Sequence, residues 1–260
     1  MDMIVCIKQV PDTNEVKIDP KKGTLIREGV PSIINPEDKN ALETALRIKE
    51  ETDGKVTVIS MGPPQAKKAL REAMAMGADE GILVSDRAFA GADTWATSYT
   101  LAKTIEKIGD YDLILCGRQA IDGDTAQVGP EIAEQLSIPQ ITYVKDIELK
   151  GDTIEVKRGL EDGYAVIETS SPALLTVLSD MNEPRYPSIR GIMNAYQEEI
   201  KVWTVEDLPV KKERLGLDGS PTQVAKTFTP SQERAGEIFE GNVSEAVNSL
   251  LNRLQEKNLA

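Results

Sequence analysis

The sequence predicts an α/β fold with a mostly parallel sheet flanked by helices, an antiparallel extension and a C-terminal helical arm. Up to Pro139, runs rich in Val, Ile and Leu alternate with amphipathic segments through short connections, which is typical of repeated βα units. After Pro139, strand-like runs follow one another without helices between them. Near the C-terminus, Val243–Lys257 carries apolar residues along one helical face.

The predicted strands are of two kinds. The early ones are continuous apolar runs, as in strands covered on both faces: Met3–Val10, Lys55–Gly62, Gly81–Ser85 and Asp112–Cys116. The later ones are joined by Gly-Asp and Glu-Asp-Gly turns, which favour antiparallel hairpins: Ile141–Lys150, Thr153–Leu160 and Tyr164–Thr169. Ser171–Val177 is predicted to be one more buried strand, and Val16–Arg27 a small hairpin.

The predicted helices begin and end at recognisable residues. The first has Asn35 as its N-cap and Pro36 at its first helical position. The acidic Glu37 and Asp38 then lie at the positive end of the helix dipole. The other helices follow Gly62-Pro63-Pro64 and end at Gly77, run from near Asp93 to Gly109, and cover Glu131–Leu136.

We expect one α/β domain over residues 1–207, followed by a linker and a C-terminal arm over residues 208–260. Asn182–Ile192 is predicted to be a loop, because two prolines and a glycine interrupt it. Beyond Leu208, a Lys- and Gly-containing linker extends to about Pro230. The amphipathic helix at the end of the arm folds back on its own domain or clasps a partner, and the pattern alone favours neither.

Composition excludes several classes of function. The net charge of −13 argues against a nucleic-acid binder, which needs a basic face. No apolar run approaches the length of a membrane span and no signal-peptide pattern opens the chain, so we expect a cytoplasmic protein without membrane insertion. Cys6 and Cys116 lie in apolar runs and are expected to be reduced and buried. The chain has no histidine, which removes the commonest general base and the usual zinc ligand, so chemistry is expected from a cofactor.

The fifteen residues from Cys116 to Pro130 are the most informative segment. A Gly-rich, hydroxyl-bearing turn leads here from a strand end into a helix start, where free N–H groups and the helix dipole favour phosphate. Glycines 117, 123 and 129 are expected to allow close approach of a ligand and to adopt positive φ. The alternative is a loop whose Asp and Thr residues only cap the helix. Neither a Walker A sequence nor a G-x-G-x-x-G fingerprint appears elsewhere.

Ligands of parallel sheets bind beyond the carboxyl ends of the strands. Three strand ends and one helix start are therefore expected to converge on one crevice: Cys6–Lys8, Ser60–Gly62, Gly117–Gly129 and Asn35–Asp38.

Several segments, in order and over essentially the whole chain, resemble the β subunits of electron-transfer flavoproteins. They are Val5-Cys-Ile-Lys-Gln-Val10, Asn35-Pro36, Met76-Gly-Ala-Asp79, Gly117-Arg-Gln-Ala-Ile-Asp122, Val156-Lys-Arg-Gly-Leu-Glu-Asp-Gly163 with Ser171-Pro172, and Asn182-Glu-Pro-Arg-Tyr186. The resemblance implies a Rossmann-like fold of the adenine-nucleotide α-hydrolase type. It also implies a heterodimer with an α subunit, around which the C-terminal arm wraps.

In this family the β site holds either a structural AMP or, in a bifurcating branch, a second FAD. The resemblance implies that this FAD takes hydride from NADH. It then passes one electron to ferredoxin or flavodoxin and one toward the α-subunit FAD, which serves an acyl-CoA dehydrogenase. The loop from Asp122 to Pro130 is similar to that of the bifurcating branch, with small residues at Gly123 and Ala126. The alternatives are a non-bifurcating subunit with AMP and a stand-alone nucleotide-binding module of the universal-stress type.

Position by position, the resemblance implies the following cofactor-binding residues: Cys6, Lys8, Asn35, Pro36, Glu37, Asp38, Met61, Gly117, Arg118, Gln119, Ala120, Ile121, Asp122, Gly123, Asp124, Thr125, Ala126, Gln127, Val128 and Gly129. Asp122 would orient the loop or bind a polar edge of the nucleotide, and the Thr125 hydroxyl would meet phosphate. Arg118 would pair with phosphate or lie near the flavin, unless it is a solvated surface residue. For Cys6 and Met61 the alternative is core packing, and for Asn35 it is helix capping.

The segment after Asn182 is implied to dock the acyl-CoA dehydrogenase. Tyr186, Ile189 and Met193 would make this contact, with Ile189 as the apolar anchor. Burial against the α subunit is the alternative explanation for an apolar residue at this position.

Overall fold

The computed structural model describes residues 1–12, 31–151, 153–226 and 236–259, within which the chain forms eleven strands and six α-helices. The strands are β1 (Met3–Cys6), β2 (Gln9–Pro11), β3 (Ser32–Ile34), β4 (Val56–Met61), β5 (Glu80–Val84), β6 (Leu113–Gly117), β7 (Gln140–Lys150), β8 (Thr153–Leu160), β9 (Gly163–Ser170), β10 (Ala173–Val177) and β11 (Lys201–Trp203). The helices are α1 (Pro36–Thr52), α2 (Lys67–Met76), α3 (Thr94–Ile108), α4 (Val128–Leu136), α5 (Ile189–Gln197) and α6 (Val243–Glu256). The predicted hairpin Val16–Arg27 lies outside the described residues.

Nine strands form one sheet in the order β11-β5-β4-β1-β6-β10-β7-β8-β9. The pairings from β11 to β7 are parallel, whereas β7–β8 and β8–β9 are antiparallel. A separate small sheet pairs β2 with β3 in antiparallel orientation. The predicted α/β class with its antiparallel extension is therefore confirmed.

Alternate residues of the central strands face two separate layers of helices. Val5 of β1 belongs to the core cluster that includes residues of α1 and α2, whereas its neighbour Ile4 belongs to the cluster that includes residues of α3 and α4. Successive side chains of a strand point to opposite faces, so a strand covered on both faces must be apolar throughout. This is the physical reason for the continuous Val, Ile and Leu runs in the sequence.

The helix ends agree with the local signals in most cases. Asp93 caps α3, since its Oδ1 accepts from the backbone N of Ala96 at 3.1 Å, and Gly77 ends α2 with a φ of +130°. Asn35 is the N-cap residue of α1 by position, but its side chain makes no capping hydrogen bond, so the capping interpretation is wrong. Helix α4 begins at Val128 rather than Glu131. Pro130 does not prevent this, because proline is tolerated in the first turn of a helix.

One predicted strand and one predicted loop also differ from the structure, and one strand was not predicted. The run Met3–Val10 is two strands, β1 and β2, and Lys8 lies between them. The predicted loop Asn182–Ile192 overlaps α5, which the Ser188 Oγ caps by accepting from the Gly191 N at 2.9 Å. Strand β11, an edge strand parallel to β5, is not among the predicted elements.

The glycine that suggests a loop in this region has a packing role instead. A Cβ at Gly191 would come within 3.2 Å of the Ala75 carbonyl carbon, so α5 approaches the backbone of α2 closely at this point. The glycine is therefore compatible with the helix because the close approach of two backbones requires it.

The described chain divides into two compact units, Met1–Val224 and Ala225–Ala260. The first unit extends beyond the predicted boundary at residue 207, because part of the predicted linker packs on the α/β core. Leu208 and Leu215 are buried in a cluster with Val84, Phe89 and Tyr99. The second unit contains α6, whose N-cap Asn242 accepts from the Glu245 N at 3.0 Å. Among the described helices, none combines the length and the hydropathy that a membrane crossing requires.

Candidate nucleotide-binding site

The carboxyl ends of β1 and β6 are held together by the start of α1. The two strands are direct neighbours in the sheet, with Cys6 opposite Cys116. Asp38 bridges the ends of the two strands. Its Oδ2 accepts from the N of Lys8, which lies just beyond β1, at 2.7 Å, and its Oδ1 accepts from the N of Gly117, the last residue of β6, at 3.2 Å. The Asn35 N in turn donates to the Lys8 carbonyl oxygen at 2.9 Å. Three predicted site segments therefore meet at this point.

The segment after β6 is bonded to the same helix start. The Gln119 N donates to the Glu37 Oε2 at 3.0 Å, and the Ile121 N donates to the Asn35 Oδ1 at 3.0 Å. The Asn35 Nδ2 donates to the Gln119 carbonyl oxygen at 2.9 Å. The Asn35 side chain is therefore used to fix the loop, which explains why it does not cap α1.

Further contacts shape the loop beyond Ile121. Lys8 Nζ lies 2.6 Å from the Asp122 Oδ1, and the side chain of Asp122 is almost fully buried. Two roles were expected of Asp122, and this ion pair agrees with the one in which Asp122 orients the loop. The N–H groups of Gly123 and Asp124 donate to the Ala120 carbonyl oxygen at 3.2 and 2.9 Å and close a turn. The Gln119 Nε2 donates to the Asp124 Oδ1 at 2.9 Å.

The glycines of the loop do not act through positive φ, and that expectation is wrong for Gly117, Gly123 and Gly129. Gly117 and Gly129 are needed for close packing within the protein: an added Cβ would lie 2.8 Å from the Asp38 N or 2.7 Å from the Thr176 Cγ2, respectively. A Cβ at Gly123 would meet no atom within 4 Å in the described part of the chain. Left-handed φ values occur instead at Asp124 (+50°) and Ala126 (+53°).

The stretch 125–129 leads into α4 with its N–H groups available. Within the part of the chain that the structure describes, these five N–H groups donate no hydrogen bond, and the N-cap Gln127 makes no side-chain cap. Left-handed residues alternating with ordinary ones are typical of backbone concavities that bind anions. Such a start of a helix, with the positive end of its dipole, suits the phosphates of AMP or FAD. The residues present therefore fit the phosphate portion of either nucleotide.

Lys8 and Met61 line one cleft of about 100 Å³ at the ends of β1 and β4, together with Gln9, Val10, Pro11, Ser32, Gly62, Pro63, Gln65 and Ala66. This volume is well below the roughly 300–1,000 Å³ of typical small-molecule sites, so the cleft would hold only part of a nucleotide. Cys6 and Met61 are partly buried and pack against the cluster of Ile4 and Ile59. Their core-packing role is thus visible, and their contact with a ligand stays a prediction.

Two side chains at the site have distinctive electrostatics. Burial raises the pKa of Asp38 to about 7, although hydrogen bonds from Asn35, Lys8 and Gly117 lower it. Arg118 pairs with Glu37 at 3.1 Å and donates its backbone N to the Val177 carbonyl oxygen at 3.0 Å. It is therefore an ion-paired residue at the edge of the loop rather than a freely solvated one. The buried Cys116 thiol has a raised pKa, because of its hydrogen bond with Cys6 and its burial, and both cysteines are free thiols.

The predicted docking residues are strongly exposed. Tyr186 is 93% exposed, Ile189 82% and Met193 60%, the last two on the outer face of α5. The inner face of α5 contacts α2 through the buried Ala195, whose carbonyl oxygen accepts from the Arg71 Nη1 at 2.5 Å. Docking of a partner on the outer face stays a prediction.

The residues that hold the segment before α5 were not predicted from the sequence. Asn182 Nδ2 donates to the Asn40 carbonyl oxygen at 3.0 Å and to the Thr44 Oγ1 at 2.8 Å. Arg185 Nε donates to the Glu43 Oε2 at 2.8 Å. Asn40, Glu43 and Thr44 are buried polar residues on α1, and only their helical spacing of three and four residues indicated a shared face.

Comparison with known proteins places this geometry in a family. Residues 22–208 match the family described as Electron transfer flavoprotein domain. The chain is 64% identical over 260 residues to the Electron transfer flavoprotein subunit beta of Thermoanaerobacterium thermosaccharolyticum, with 100% of both chains covered. It is 57% identical over 261 residues to the Caffeyl-CoA reductase-Etf complex subunit CarD of Acetobacterium woodii, again with 100% of both chains covered.

A third relative is the Acryloyl-CoA reductase electron transfer subunit gamma of Anaerotignum propionicum, 48% identical over 267 residues with 100% of both chains covered. The family match spans more than half of the chain, and these relatives are aligned from end to end. This chain therefore belongs to the electron transfer flavoprotein family and corresponds over its whole length to the β subunit.

Proposed function

We propose that this β subunit pairs with an electron-transfer flavoprotein α subunit and binds FAD at the Gly117–Gly129 loop. The FAD would take hydride from NADH and pass one electron to ferredoxin or flavodoxin and one toward the FAD of the α subunit. An acyl-CoA dehydrogenase would receive electrons from the α-subunit FAD. The observation that carries this proposal is the start of α4, where the N–H groups of 125–129 donate no hydrogen bond within the described residues.

Protein groups would position the nucleotide rather than take part in proton chemistry. The N–H groups of 125–129 and the Thr125 hydroxyl would hold the phosphates. Arg118 would supply positive charge at the rim of the loop, although it shares that charge with Glu37. The chain has no histidine, which agrees with a subunit whose chemistry comes from its cofactor.

The space at Gly123 supports FAD rather than AMP, and the relatives support a class of redox partner. Among the described residues, no heavy atom other than those of the two chain neighbours lies within 4 Å of a Cβ built at Gly123, which supports room for a second phosphate. Two of the relatives are named as subunits of a caffeyl-CoA reductase complex and of an acryloyl-CoA reductase, so an enoyl-CoA or acyl-CoA redox partner is the expected class. AMP as a structural ligand of a non-bifurcating subunit is the second candidate.

Quantifying nucleotides released from the denatured heterodimer separates the two candidates. We expect two FAD and no AMP per heterodimer of this chain with its α subunit. One FAD and one AMP would make this chain a structural nucleotide-binding subunit and would contradict the electron-splitting role. The same heterodimer carrying Thr125→Val with Gly123→Leu should lose the β-site nucleotide, because the loop loses a hydroxyl and its open space.

The fold should survive this double substitution, since both positions are exposed and a Cβ at Gly123 meets no atom of the described residues within 4 Å. Gly163→Leu at an equally open glycine of the β8–β9 turn is the matched control and should retain the nucleotide. Full nucleotide content in the Thr125→Val, Gly123→Leu heterodimer would contradict the assignment of the site.

Docking of the dehydrogenase is proposed for the outer face of α5. Ile189→Ser should raise the KM for the partner dehydrogenase about tenfold, because an 82% exposed apolar side chain contributes little inside this chain but much in a contact. The measurement is steady-state electron transfer at varied dehydrogenase concentration. Val224→Ser, at an equally exposed position, should leave the KM unchanged. A loss of heterodimer in the Ile189→Ser variant would instead assign Ile189 to the α-subunit interface.

A further inference from the structure

The start of α1 replaces a neighbouring strand for the segment 117–121. On one side, the Arg118 N donates to the Val177 carbonyl oxygen of β10, as in the pairing of two neighbouring strands. On the other side, the N–H groups of every second residue, 117, 119 and 121, donate to side chains of α1 and its cap rather than to backbone. The acceptors are Asp38, Glu37 and Asn35, in that order. Alternation with a period of two is the pattern of a β-ladder.

The polar atoms of these three side chains are occupied by this arrangement. Both Asp38 oxygens accept from backbone N–H groups, and Glu37 accepts from the Gln119 N with one oxygen and pairs with Arg118 through the other. Asn35 uses both its amide oxygen and its amide nitrogen. All three residues are buried. They are therefore placed to act on the loop from within the protein.

We propose that Asn35, Glu37 and Asp38 are positioning residues, whose side chains hold the nucleotide loop in its binding conformation. The assignment rests on the proposed function, since it states how that site is built. Its physical basis is preorganisation: a loop already fixed by buried hydrogen bonds loses less conformational freedom when a ligand binds. The N–H groups of 125–129, which have no acceptor among the described residues, then follow a segment whose position is fixed up to Ile121.

The test compares Glu37→Ala with Glu37→Gln in the heterodimer with the α subunit. The alanine removes the acceptor of the Gln119 N–H, whereas glutamine keeps an oxygen at the same reach. Amide hydrogen exchange of residues 117–121 is measured without added nucleotide, and AMP and FAD are the two affinity probes. The control is Glu51→Ala at an exposed position near the end of α1.

We expect the Gln119 amide to exchange at least tenfold faster in Glu37→Ala, with AMP and FAD affinity reduced about tenfold. Glu37→Gln should restore both to within about threefold of the wild type, and Glu51→Ala should change neither. Asn35→Ala gives the same test at the Ile121 amide if Glu37→Ala fails to assemble.

Three results would overturn the positioning role: an unchanged Gln119 amide in Glu37→Ala, a faster amide with unchanged nucleotide affinity, or a loss of affinity in Glu37→Gln while the amide stays protected. The last result would mean that Glu37 contacts the nucleotide through its charge. A wild-type heterodimer that binds neither probe, with the amide response intact, would overturn the proposed function and leave the holding of the loop in place.

Discussion

Gly117→Ala is expected to destabilise the α/β unit by about 3 kcal/mol or more, the largest effect of any single methyl group at this site. The added Cβ would lie 2.7 Å from the Glu37 carbonyl carbon and 2.8 Å from the Asp38 N, and it would also meet the Asp38 Oδ1. These atoms are mainly backbone of α1, so no flexible side chain can move aside. Either β6 or the start of α1 must shift, and the shift would break the bonds that Asp38 makes to Lys8 and Gly117.

The measurement is urea unfolding of Gly117→Ala beside Gly123→Ala. The second variant adds the same methyl group to the same loop, but at a residue without a left-handed φ, where no atom of the described chain lies within 4 Å of the added carbon. We expect Gly123→Ala to unfold within about 0.5 kcal/mol of the wild type, as surface substitutions usually do. Equal stabilities of the two variants would show that the start of α1 does not approach β6 closely at Gly117.

Asp38 is expected to make the chain less stable as the pH rises from about 5 to about 8. Its pKa is raised by burial to about 7 from an ordinary value of 3.8, so the folded state holds a proton that the unfolded state has released. The stability that this proton contributes is fully present below the unfolded value and is lost as the pH rises through the folded one. Between about pH 5 and about pH 8 the loss is about 3 kcal/mol.

Asp38→Asn isolates this contribution from other groups such as Glu131, whose pKa burial also raises. The asparagine lowers the free energy of unfolding by an amount that does not depend on pH, because its amide oxygen replaces only one of the two carboxylate acceptors. The free energy of unfolding of the wild type minus that of Asp38→Asn should therefore fall by about 3 kcal/mol across this pH range. A difference that stays constant with pH would mean that the carboxyl group of Asp38 does not titrate in this window.

The elements that sequence patterns predicted well are those whose signals are local. Helix α3 lies where Asp93 and Gly109 mark its ends, because a capping side chain and a helix-ending glycine act within a few residues of themselves. The hairpins of β7, β8 and β9 follow from turns between runs of strand-forming residues. The continuous apolar runs of β1, β4 and β6 correctly indicated strands covered on both faces.

The elements that were mispredicted depend on distant contacts. A glycine and two prolines suggested a loop before Ile192, yet the close approach of α5 to α2 is what requires Gly191. The short β11 is defined by its pairing with β5, more than a hundred residues earlier in the chain. Residues 208–224 looked like a linker, but Leu208 and Leu215 find an apolar cluster on the α/β core. The sequence pattern of one segment does not show which surface of another segment it packs against.

By itself the sequence determined the α/β class, the order of the main elements, the family and the position of the Cys116–Pro130 loop, because periodicity, caps and motifs are local properties. Only the tertiary structure decided what the site residues do. Asn35 looked like a helix cap and Gly117 like a residue of positive φ, but the first bonds Gln119 and Ile121 and the second makes room for α1. These roles arise between residues about eighty positions apart, and only folding brings such residues into contact.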